Sequence, residues 1–158
     1  MSISYLVLSL FILNLGTAFG AGLYETQLVL PHWFPKAAAS GYRVDPEAMH
    51  RLDSGRKFWA FVTTVPLTLL TLANVYMALQ TTHPGTTWWL AATLITLVER
   101  LSTFAFFIPT IIRLQRTDQV TPAQTNRMVS AWLGINYIRN GLTLLAFLLA
   151  LKAFSLVA

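Results

Sequence analysis

Cysteine is absent from this chain of 158 residues. Without a thiolate, the chain has no disulfide, no cysteine-ligated zinc or haem and no iron–sulfur cluster. Charge is also scarce, because only 11% of the residues are charged whereas 55% are hydrophobic. Ordinary soluble domains contain roughly 25% charged residues. This composition favours a chain that folds in a bilayer over one that folds around a soluble core.

Acidic residues are the scarcer of the two signs. Six Asp and Glu stand against eleven Lys and Arg, which gives a net charge of +5. In a soluble protein such an excess would suggest nucleic-acid binding. Here the basic residues fall mostly in two short segments between apolar runs, which is the positive-inside pattern of membrane proteins. We therefore expect a lipid bilayer as the partner, and no nucleic acid.

Four long apolar runs organise the sequence, at about residues 3–30, 58–79, 87–112 and 128–151. Each reaches the roughly 20 residues that a helix needs to cross a hydrocarbon core of about 30 Å. Pro31 and Pro35 are expected to end the first helix, and Thr121 before Pro122 is typical of a helix start. The second and third connections are short, so the sequence predicts a single all-α domain, an integral membrane four-helix bundle with up-down-up-down topology.

The basic segments, residues 31–57 and 113–127, predict the orientation of the bundle. Their basic residues are Lys36, Arg43, Arg51, Arg56, Lys57, Arg113, Arg116 and Arg127. The positive-inside rule places both segments in the cytoplasm and both termini outside a plasma or inner membrane. The stretch TAFGAG offers small residues for signal-peptide cleavage, but the first run lacks a basic start and stays apolar beyond that site. We expect it to be retained as a helix.

The third run contains the stretch ITLVERLSTFAFFIP, which places Glu99 beside Arg100 in an apolar helix. Charges at this depth cost roughly 2.5–3.5 kcal/mol each unless they face the bundle interior and find partners. Adjacent helical positions point about 100° apart and do not face each other, so these two are not expected to pair. Antiparallel packing brings Arg139 of the fourth run to a similar depth, and Arg139 is the predicted partner of Glu99.

Polar residues recur at helical spacing on three of the runs. The stripes are Asn14, Thr17, Ala21 and Glu25; Thr96, Glu99, Thr103, Phe106, Thr110 and Arg113; and Trp132, Asn136, Arg139 and Thr143. They predict a polar seam inside the bundle. Such a seam either fixes helix register or lines a ligand pocket, and a path for ions is a weaker third interpretation. Gly16 and Gly20 allow close helix approach, and with it a homo-oligomer through the first helix.

Two shorter motifs add candidate residues. The stretch GLYETQLVLPHW brings Tyr24, Glu25, His32 and Trp33 near the cytoplasmic end of the first helix, at the mouth of any pocket there. The stretch PEAMH spaces Glu47 and His50 as in carboxylate di-iron sites, but such sites need two pairs and further glutamates. We expect a solvated segment here and no metal, with metal binding as the lesser alternative.

Three stretches together resemble the anthrone-oxygenase-like family of small four-helix membrane proteins. They are GLYETQLVLPHW, ERLSTFAFFIPTIIRL and WLGINYIRNGLTLLAFLLAL. The most specific element is the W-x3-N-x2-R spacing of Trp132, Asn136 and Arg139, supported by Pro31 and Pro109. The resemblance spans about residues 15–151. It implies oxidation of a flat, lipophilic hydroxyaromatic by molecular oxygen, without a cofactor.

That chemistry, as the resemblance implies it, needs a base to deprotonate a ring carbon and a donor to hold the resulting oxyanion. The candidate donors are Arg139, Arg100 and Asn136. The candidate bases are Glu25, Glu99 and His32. Glu25 is preferred, because a Glu99 paired with arginine would be a weak base. Tyr24, His32, Trp33, Arg100 and Trp132 are the candidate substrate contacts.

The alternative is a non-catalytic membrane protein that binds a lipid-like ligand or serves as an oligomeric or structural subunit. The interior of the bundle distinguishes these functions. An enzyme or a binder predicts a cavity of at least a few hundred Å³, lined by Glu25, Asn136 and Arg139. A structural role predicts that the same residues bond to one another around no void.

Overall fold

Four long helices make up most of the protein in the computed structural model, which describes residues 3–37, 41–52, 55–116 and 121–157. They are α1 (Ile3–Trp33), α3 (Gly55–Thr64 continued by Val65–Leu79), α4 (Thr86–Gln115) and α5 (Pro122–Val157). A short helix α2 (Pro46–Leu52) and a two-residue hairpin, β1 (Lys36–Ala37) with β2 (Gly41–Tyr42), lie between α1 and α3. Residues 38–40, 53–54 and 117–120, within the predicted cytoplasmic segments, lie outside the described residues.

The four long helices form a closed ring in which α1 packs on α3, α3 on α4, α4 on α5 and α5 on α1. The connections 80–85 and 116–121 are short and make their flanking helices antiparallel. Each long helix contains a segment long and apolar enough to cross a membrane. The predicted all-α membrane bundle is therefore confirmed.

The helix ends depart from the predicted bounds at two places. Helix α1 continues through Pro31 and ends at Trp33, so the prediction that Pro31 ends it is wrong. Helix α5 begins at Pro122, the start that Thr121 and Pro122 predict, and thus before the apolar run that starts near residue 128. Its start is a capping box, in which the Thr121 hydroxyl accepts from the Gln124 amide at 3.4 Å and the Gln124 side chain accepts from the Thr121 amide at 3.2 Å.

Three of the helices contain a π-helical segment that ends two residues before a proline. The pairs are Glu25–Val29 with Pro31, Gly55–Thr64 with Pro66, and Thr103–Phe107 with Pro109. A proline has no N–H and its ring clashes with the carbonyl four residues earlier. A wider turn just before the proline relieves this clash, which explains why none of these prolines ends its helix.

Asn14 satisfies one of the carbonyls that a proline leaves without a donor. Its side-chain amide donates to the Val62 carbonyl at 2.9 Å, and Val62 lies four residues before Pro66. Replacement of a missing helix bond by a neighbouring side chain is how proline is tolerated inside membrane helices. Asn14 therefore ties α1 to the interrupted part of α3.

The π segment of α4 also shifts the buried face of that helix. From the last residues of this segment onwards, Phe107 and Leu114 are buried, whereas Phe106 and Thr110 are half-buried and Arg113 is exposed. An α-helical period carried through this region predicts Phe106, Thr110 and Arg113, and the extra residue of the π turn moves the face by one position. The predicted α4 stripe is therefore wrong at Phe106, Thr110 and Arg113.

The predicted stripe on α1 is wrong at a different place. Thr17 is exposed, and the buried positions are Leu15, Ala18, Gly22 and Glu25. Thr17 can face outward because its hydroxyl donates to the Leu13 carbonyl of its own helix at 2.9 Å. The α5 stripe, in contrast, is found as predicted, with Trp132, Asn136 and Thr143 buried and Arg139 largely so.

Two apolar clusters form the core. One is built from α1, α3, α4 and the end of α5, with Phe11, Leu15, Leu67 and Trp89 at its centre. The other lies towards the basic segments and joins α1, α2, the middle of α4 and the start of α5 through residues such as Trp33, Met49, Phe107 and Trp132. Most of the buried polar residues belong to neither cluster, and the chain therefore buries its polar seam beside two apolar cores.

Candidate functional site

A cavity of about 320 Å³ occupies the polar seam. This volume is at the lower end of the roughly 300–1,000 Å³ found for small-molecule sites. The cavity is lined by Ala18, Glu25, Trp33, Met49, Gly55, Trp59, Ala60, Thr63, Thr64, Glu99, Arg100, Thr103, Phe107, Ile108, Ile111, Ile112, Gln115, Trp132, Arg139, Asn140 and Thr143. Residues from all three π segments are among them. The wider turns therefore lie at the cavity, where π turns are frequently found in functional sites.

Six of the nine predicted site residues line this cavity. They are Glu25, Trp33, Glu99, Arg100, Trp132 and Arg139. The other three, Asn136, Tyr24 and His32, do not line it. The cavity thus gathers both predicted acids and both predicted arginines from α1, α4 and α5.

Glu99 pairs with the residue next to it. The Nε and Nη2 atoms of Arg100 donate to the two carboxylate oxygens of Glu99 at 2.5 and 2.6 Å. The prediction that these neighbours do not pair is wrong, because the long arginine side chain curls back to its neighbour's carboxylate although the two Cα–Cβ bonds diverge. A fork-to-fork contact of this kind is among the strongest polar pairs.

Arg139 is the second cation at Glu99, as predicted, but not its closest partner. Its Nε lies 4.0 Å from the Glu99 Oε1 atom. The guanidinium carbon stands 4.3 Å from the centre of the Phe107 ring and 5.8 Å from that of Trp59. Among the described residues the Arg139 side chain makes no hydrogen bond, although it is only 14% exposed. The guanidiniums of Arg100 and Arg139 therefore lie beside the same carboxylate, and the N–H groups of Arg139 remain available to a ligand.

Glu25 lies on α1, at the first position of a π segment, and is 6% exposed. Its Oε1 atom accepts a hydrogen bond from the indole N–H of Trp59 at 2.7 Å. Because the same indole ring lies beside Arg139, Trp59 connects the α1 carboxylate with the α5 guanidinium. The cavity thus has a carboxylate on α1 and a guanidinium on α5.

Asn136 belongs to a hydrogen-bonded cluster between α1 and α5. Its side-chain amide and that of Asn140 both donate to the Thr26 hydroxyl, at 2.9 and 3.1 Å, and this hydroxyl donates to the Gly22 carbonyl at 2.7 Å. Gly22 leaves space for this cluster, since a Cβ there would collide with the Asn140 amide. Asn136 therefore joins the helices that carry Glu25 and Arg139, and does not line the cavity.

Some buried donors of the cavity-lining residues have no partner among the described residues. They are Nη1 of Arg100 and the indole Nε1 atoms of Trp33 and Trp132. A buried donor without a partner costs about 1–3 kcal/mol. A molecule with acceptor oxygens, held among these residues, would recover part of that cost.

Tyr24 and His32 lie on the outer side of α1. Tyr24 is 62% exposed, and His32 is exposed with its Nδ1 atom 2.6 Å from the Leu28 carbonyl of its own helix. The predicted pocket mouth grouped them with Glu25 and Trp33, but the π segment and the last turn of α1 turn only the latter two inward. The structure does not bring Tyr24 and His32 to the cavity.

The spacing of Glu47 and His50 produces no metal cluster among the described residues. Glu47 instead accepts a hydrogen bond from Arg51 at 2.8 Å, and both side chains are exposed. No group of three or more His, Asp or Glu in the described parts of the chain is placed to hold a metal ion. This segment behaves as a solvated helix.

Sequence reasoning missed Trp59, Phe107, Thr26 and Asn140. Trp59 and Phe107 belong to π segments, whose phase a 3.6-residue period does not follow. Asn140 follows Asn136 at i+4, so helical spacing would have found it. Thr26 carried no signal apart from standing next to Glu25.

Comparison with known proteins agrees with the resemblance found in the sequence. Residues 56–149 match a protein-family model described as anthrone oxygenase. The match covers more than half of the chain, and the chain therefore belongs to the anthrone oxygenase family. Neither the curated proteins nor the solved structures contain a match. The matched segment includes Glu99, Arg100 and Arg139 but begins after Glu25.

Proposed function

We propose that this family member is a cofactor-independent oxygenase of lipophilic hydroxyaromatics. The substrate carries an acidic methylene group that is conjugated to a carbonyl, as in a tricyclic anthrone. Loss of a proton gives an enolate, which reacts with molecular oxygen at the ring carbon to form a hydroperoxide. Elimination of water then leaves a carbonyl, so CH2 and O2 become C=O and H2O. These reaction steps require one base and one group that stabilises the enolate oxygen.

Arg139 is the proposed oxyanion donor. It is held over Phe107 at 4.3 Å and forms no hydrogen bond within the described structure, so its N–H groups are available to a ligand. The charges of Glu99 and Arg100 beside it cancel. The three side chains of Glu99, Arg100 and Arg139 together therefore carry a net positive charge. A preorganised cation in a largely buried site stabilises a developing oxyanion far more than it would in water.

Glu25 is the proposed base. It lines the cavity from α1, which packs against the helix that carries Arg139, and the Trp59 indole fixes one of its oxygens at 2.7 Å. Glu99 is less suited, because both of its carboxylate oxygens already accept hydrogen bonds from Arg100. His32 lies outside the cavity.

The aromatic lining suits a flat ligand. Trp33, Trp59, Phe107 and Trp132 line the cavity, and Phe107 and Trp132 meet edge to face with ring centres 5.5 Å apart. The observation that carries the proposal is the meeting of Glu25 and Arg139 in one enclosed, aromatic-lined cavity.

Turnover by the purified protein tests this function. In lipid vesicles, 1,8-dihydroxyanthrone should consume one O2 for each anthraquinone formed, measured with an oxygen electrode and by absorbance, after subtraction of the rate with empty vesicles. Arg139→Gln should lower kcat by about 10²–10³-fold, the usual cost of losing one oxyanion donor. Glu25→Gln should lower it by about 10²–10⁴-fold, the usual contribution of a general base.

Matched controls come from exposed residues of the same types. Arg113 on α4 and Glu47 on α2 are exposed and outside the cavity, so Arg113→Gln and Glu47→Gln should retain the rate of the unaltered protein. A rate no higher than that of empty vesicles, or equal rates for the cavity variants and their controls, would reject the oxygenase proposal.

The second candidate function is binding of such a ligand without turnover. The unpartnered donors of Arg100, Trp33 and Trp132 favour it, since they call for an acceptor-bearing molecule but not for a reaction. Saturable binding without oxygen consumption would select this function. A structural seam is less well supported, because it would enclose no cavity of this size.

We further propose the location predicted from the charge pattern, a plasma or inner membrane with both basic segments in the cytoplasm. A homo-oligomer through α1 would use Gly20, which is exposed and has no atom within 4 Å of an added Cβ, whereas Gly16 packs on Phe147 of its own chain.

A further inference from the structure

Among the residues that the structure describes, the wall of the cavity is exposed along one edge. The lining residues contributed by α1, α2 and α5 are buried, apart from the 14% exposure of the Arg139 side chain. The three lining residues that are exposed are Gly55 at the start of α3 and Ile108 and Ile112 near the end of α4. The cavity therefore reaches the surface between α3 and α4.

This edge is apolar and loosely filled. Ile108 and Ile112 are 37% and 44% exposed and present aliphatic side chains on one side of it. On the other side, no atom of the described residues lies within 4 Å of a Cβ added to Gly55. Ile108 and Ile112 lie within the membrane-capable span of α4, and Gly55 shortly precedes that of α3, so the gap lies at the proposed cytoplasmic edge of the bilayer, within reach of the lipid tails.

The two helices at this edge are also the ones with the most irregular backbones beside it. The π segment Gly55–Thr64 forms the α3 side, and the segment Thr103–Phe107 directly precedes Ile108 on the α4 side. Wider turns interrupt the regular packing of neighbouring helices. The gap between α3 and α4 thus lies beside a π segment of each helix.

We infer that ligands enter and leave the cavity from the bilayer through this opening, defined by Gly55, Ile108 and Ile112. The inference rests on the proposed function only for the class of ligand, a planar hydroxyaromatic that dissolves in lipid. It adds a route and three residues that control it. Residues of the opening set the rates of association and dissociation, whereas Arg139 and Glu25 set affinity and chemistry.

The absence of cysteine makes the opening directly testable. A single cysteine introduced by Gly55→Cys or Ile112→Cys can be labelled with N-cyclohexylmaleimide, and no other residue of the chain supplies a thiol. Leu145→Cys is the matched control, because Leu145 is 45% exposed on α5 and does not line the cavity. Unlabelled samples of each variant control for the substitution itself.

The probe is 1,8-dihydroxyanthraquinone in phosphatidylcholine–phosphatidylglycerol vesicles. Three of the five tryptophans, Trp33, Trp59 and Trp132, line the cavity, so binding is followed by quenching of tryptophan fluorescence. Dissociation is measured by mixing loaded protein vesicles with an excess of empty vesicles. Association is measured at several ratios of probe to lipid.

Labels at the opening should lower the association and dissociation rates together, by about tenfold or more, while Kd changes by less than about twofold. Mutations inside a binding site, in contrast, change mainly the dissociation rate. The label at Leu145→Cys should change neither rate. The association rate should follow the amount of probe per lipid, not the total aqueous concentration.

Unchanged rates after labelling at both Gly55→Cys and Ile112→Cys would overturn the route, even if 1,8-dihydroxyanthrone is oxidised. A changed Kd with an unchanged association rate would also overturn it, because these residues would then contact the bound ligand. Rates controlled by the labels, together with no oxidation, would support the route and reject the oxygenase. Absence of saturable probe binding would remove both proposals.

Discussion

Glu99 shows how far a residue-level argument from helical geometry reaches. The angle between adjacent positions correctly separates their Cα–Cβ bonds, but it says nothing about a four-atom arginine stem that bends back. In an enclosed site the gain from a two-point contact outweighs the entropy of fixing that stem. The depth of Arg139 on α5 was predictable from sequence because it depends only on helix length and on the short connection between α4 and α5.

Removal of the Glu99 charge should strongly destabilise the bundle. Glu99→Gln leaves Arg100 and Arg139 as buried cations without a carboxylate, and breaking a buried pair in this way costs about 3–5 kcal/mol. Reversible unfolding by SDS, followed by circular dichroism, measures the change. The control Glu47→Gln breaks the exposed pair with Arg51 and should cost less than about 1 kcal/mol. Equal losses for the two variants would show that the buried pair is not needed for stability.

Thr26 should matter for stability although it lines no cavity. Thr26→Val keeps the shape of the side chain but leaves the amides of Asn136 and Asn140 without their acceptor, at a cost of about 1–3 kcal/mol for each buried group. The same SDS titration compares it with Thr17→Val, whose hydroxyl is exposed and bonds only within α1. A Thr26→Val variant as stable as Thr17→Val would mean that these amides find other partners.

At the scale of the element, sequence patterns predicted the four helices but not their interruptions. Apolar length, Thr121 and Pro122 indicated helices and one of their starts. Pro31 was expected to end its helix, whereas the backbone accommodates Pro31, Pro66 and Pro109 alike through a π segment just before each. Because a π turn adds one residue to a turn, every face predicted beyond it is out of phase. This is why Phe106 was predicted and Phe107 is buried.

Pro109 should be needed for the position of Phe107 more than for folding. Pro109→Ala restores an N–H and removes the clash that the π segment Thr103–Phe107 relieves, so this segment should relax towards an α-helix and turn Phe107 away from Arg139. We expect kcat/KM for 1,8-dihydroxyanthrone to fall by about 10²-fold, as for a small misplacement of a catalytic group. The SDS unfolding midpoint should stay the same or rise.

The control for this change is Pro122→Ala, at the first turn of α5, where proline replaces no helix bond and relieves no clash. It should leave kcat/KM unchanged. Full activity of Pro109→Ala would show that the π segment is not needed to place Phe107.

At the scale of the whole molecule, the seam was predictable and its contents were only partly so. Charges in apolar helices must face inward, so Glu25, Glu99, Arg100 and Arg139 had to meet somewhere in the bundle. A polar residue either faces the cavity or bonds to a neighbouring helix. Which of the two it does depends on the packing between α1 and α5, and the residue pattern of one helix does not predict that packing. Asn136 illustrates this, since its stripe is correct and yet its amide contacts Thr26 instead of the cavity.

The opening between α3 and α4 is likewise a property of the assembled bundle. Gly55 and Ile112 are more than fifty positions apart, and neither carries a motif. They meet at one cavity only because α3 and α4 form an antiparallel pair with a π segment in each. The proposed lipophilic substrate, the aromatic residues that line the cavity and the proposed entrance from the bilayer are consistent with one another at this scale.

The most direct test of the central claim is the absorbance spectrum of 1,8-dihydroxyanthrone bound to the protein in the absence of oxygen. If Glu25 takes the proton and Arg139 holds the oxyanion, the bound molecule should show the red-shifted band of the enolate, and admission of oxygen should replace it with the anthraquinone spectrum. The band should be lost in Arg139→Gln and kept in Arg113→Gln. A bound anthrone that keeps its neutral spectrum without oxygen would contradict the account.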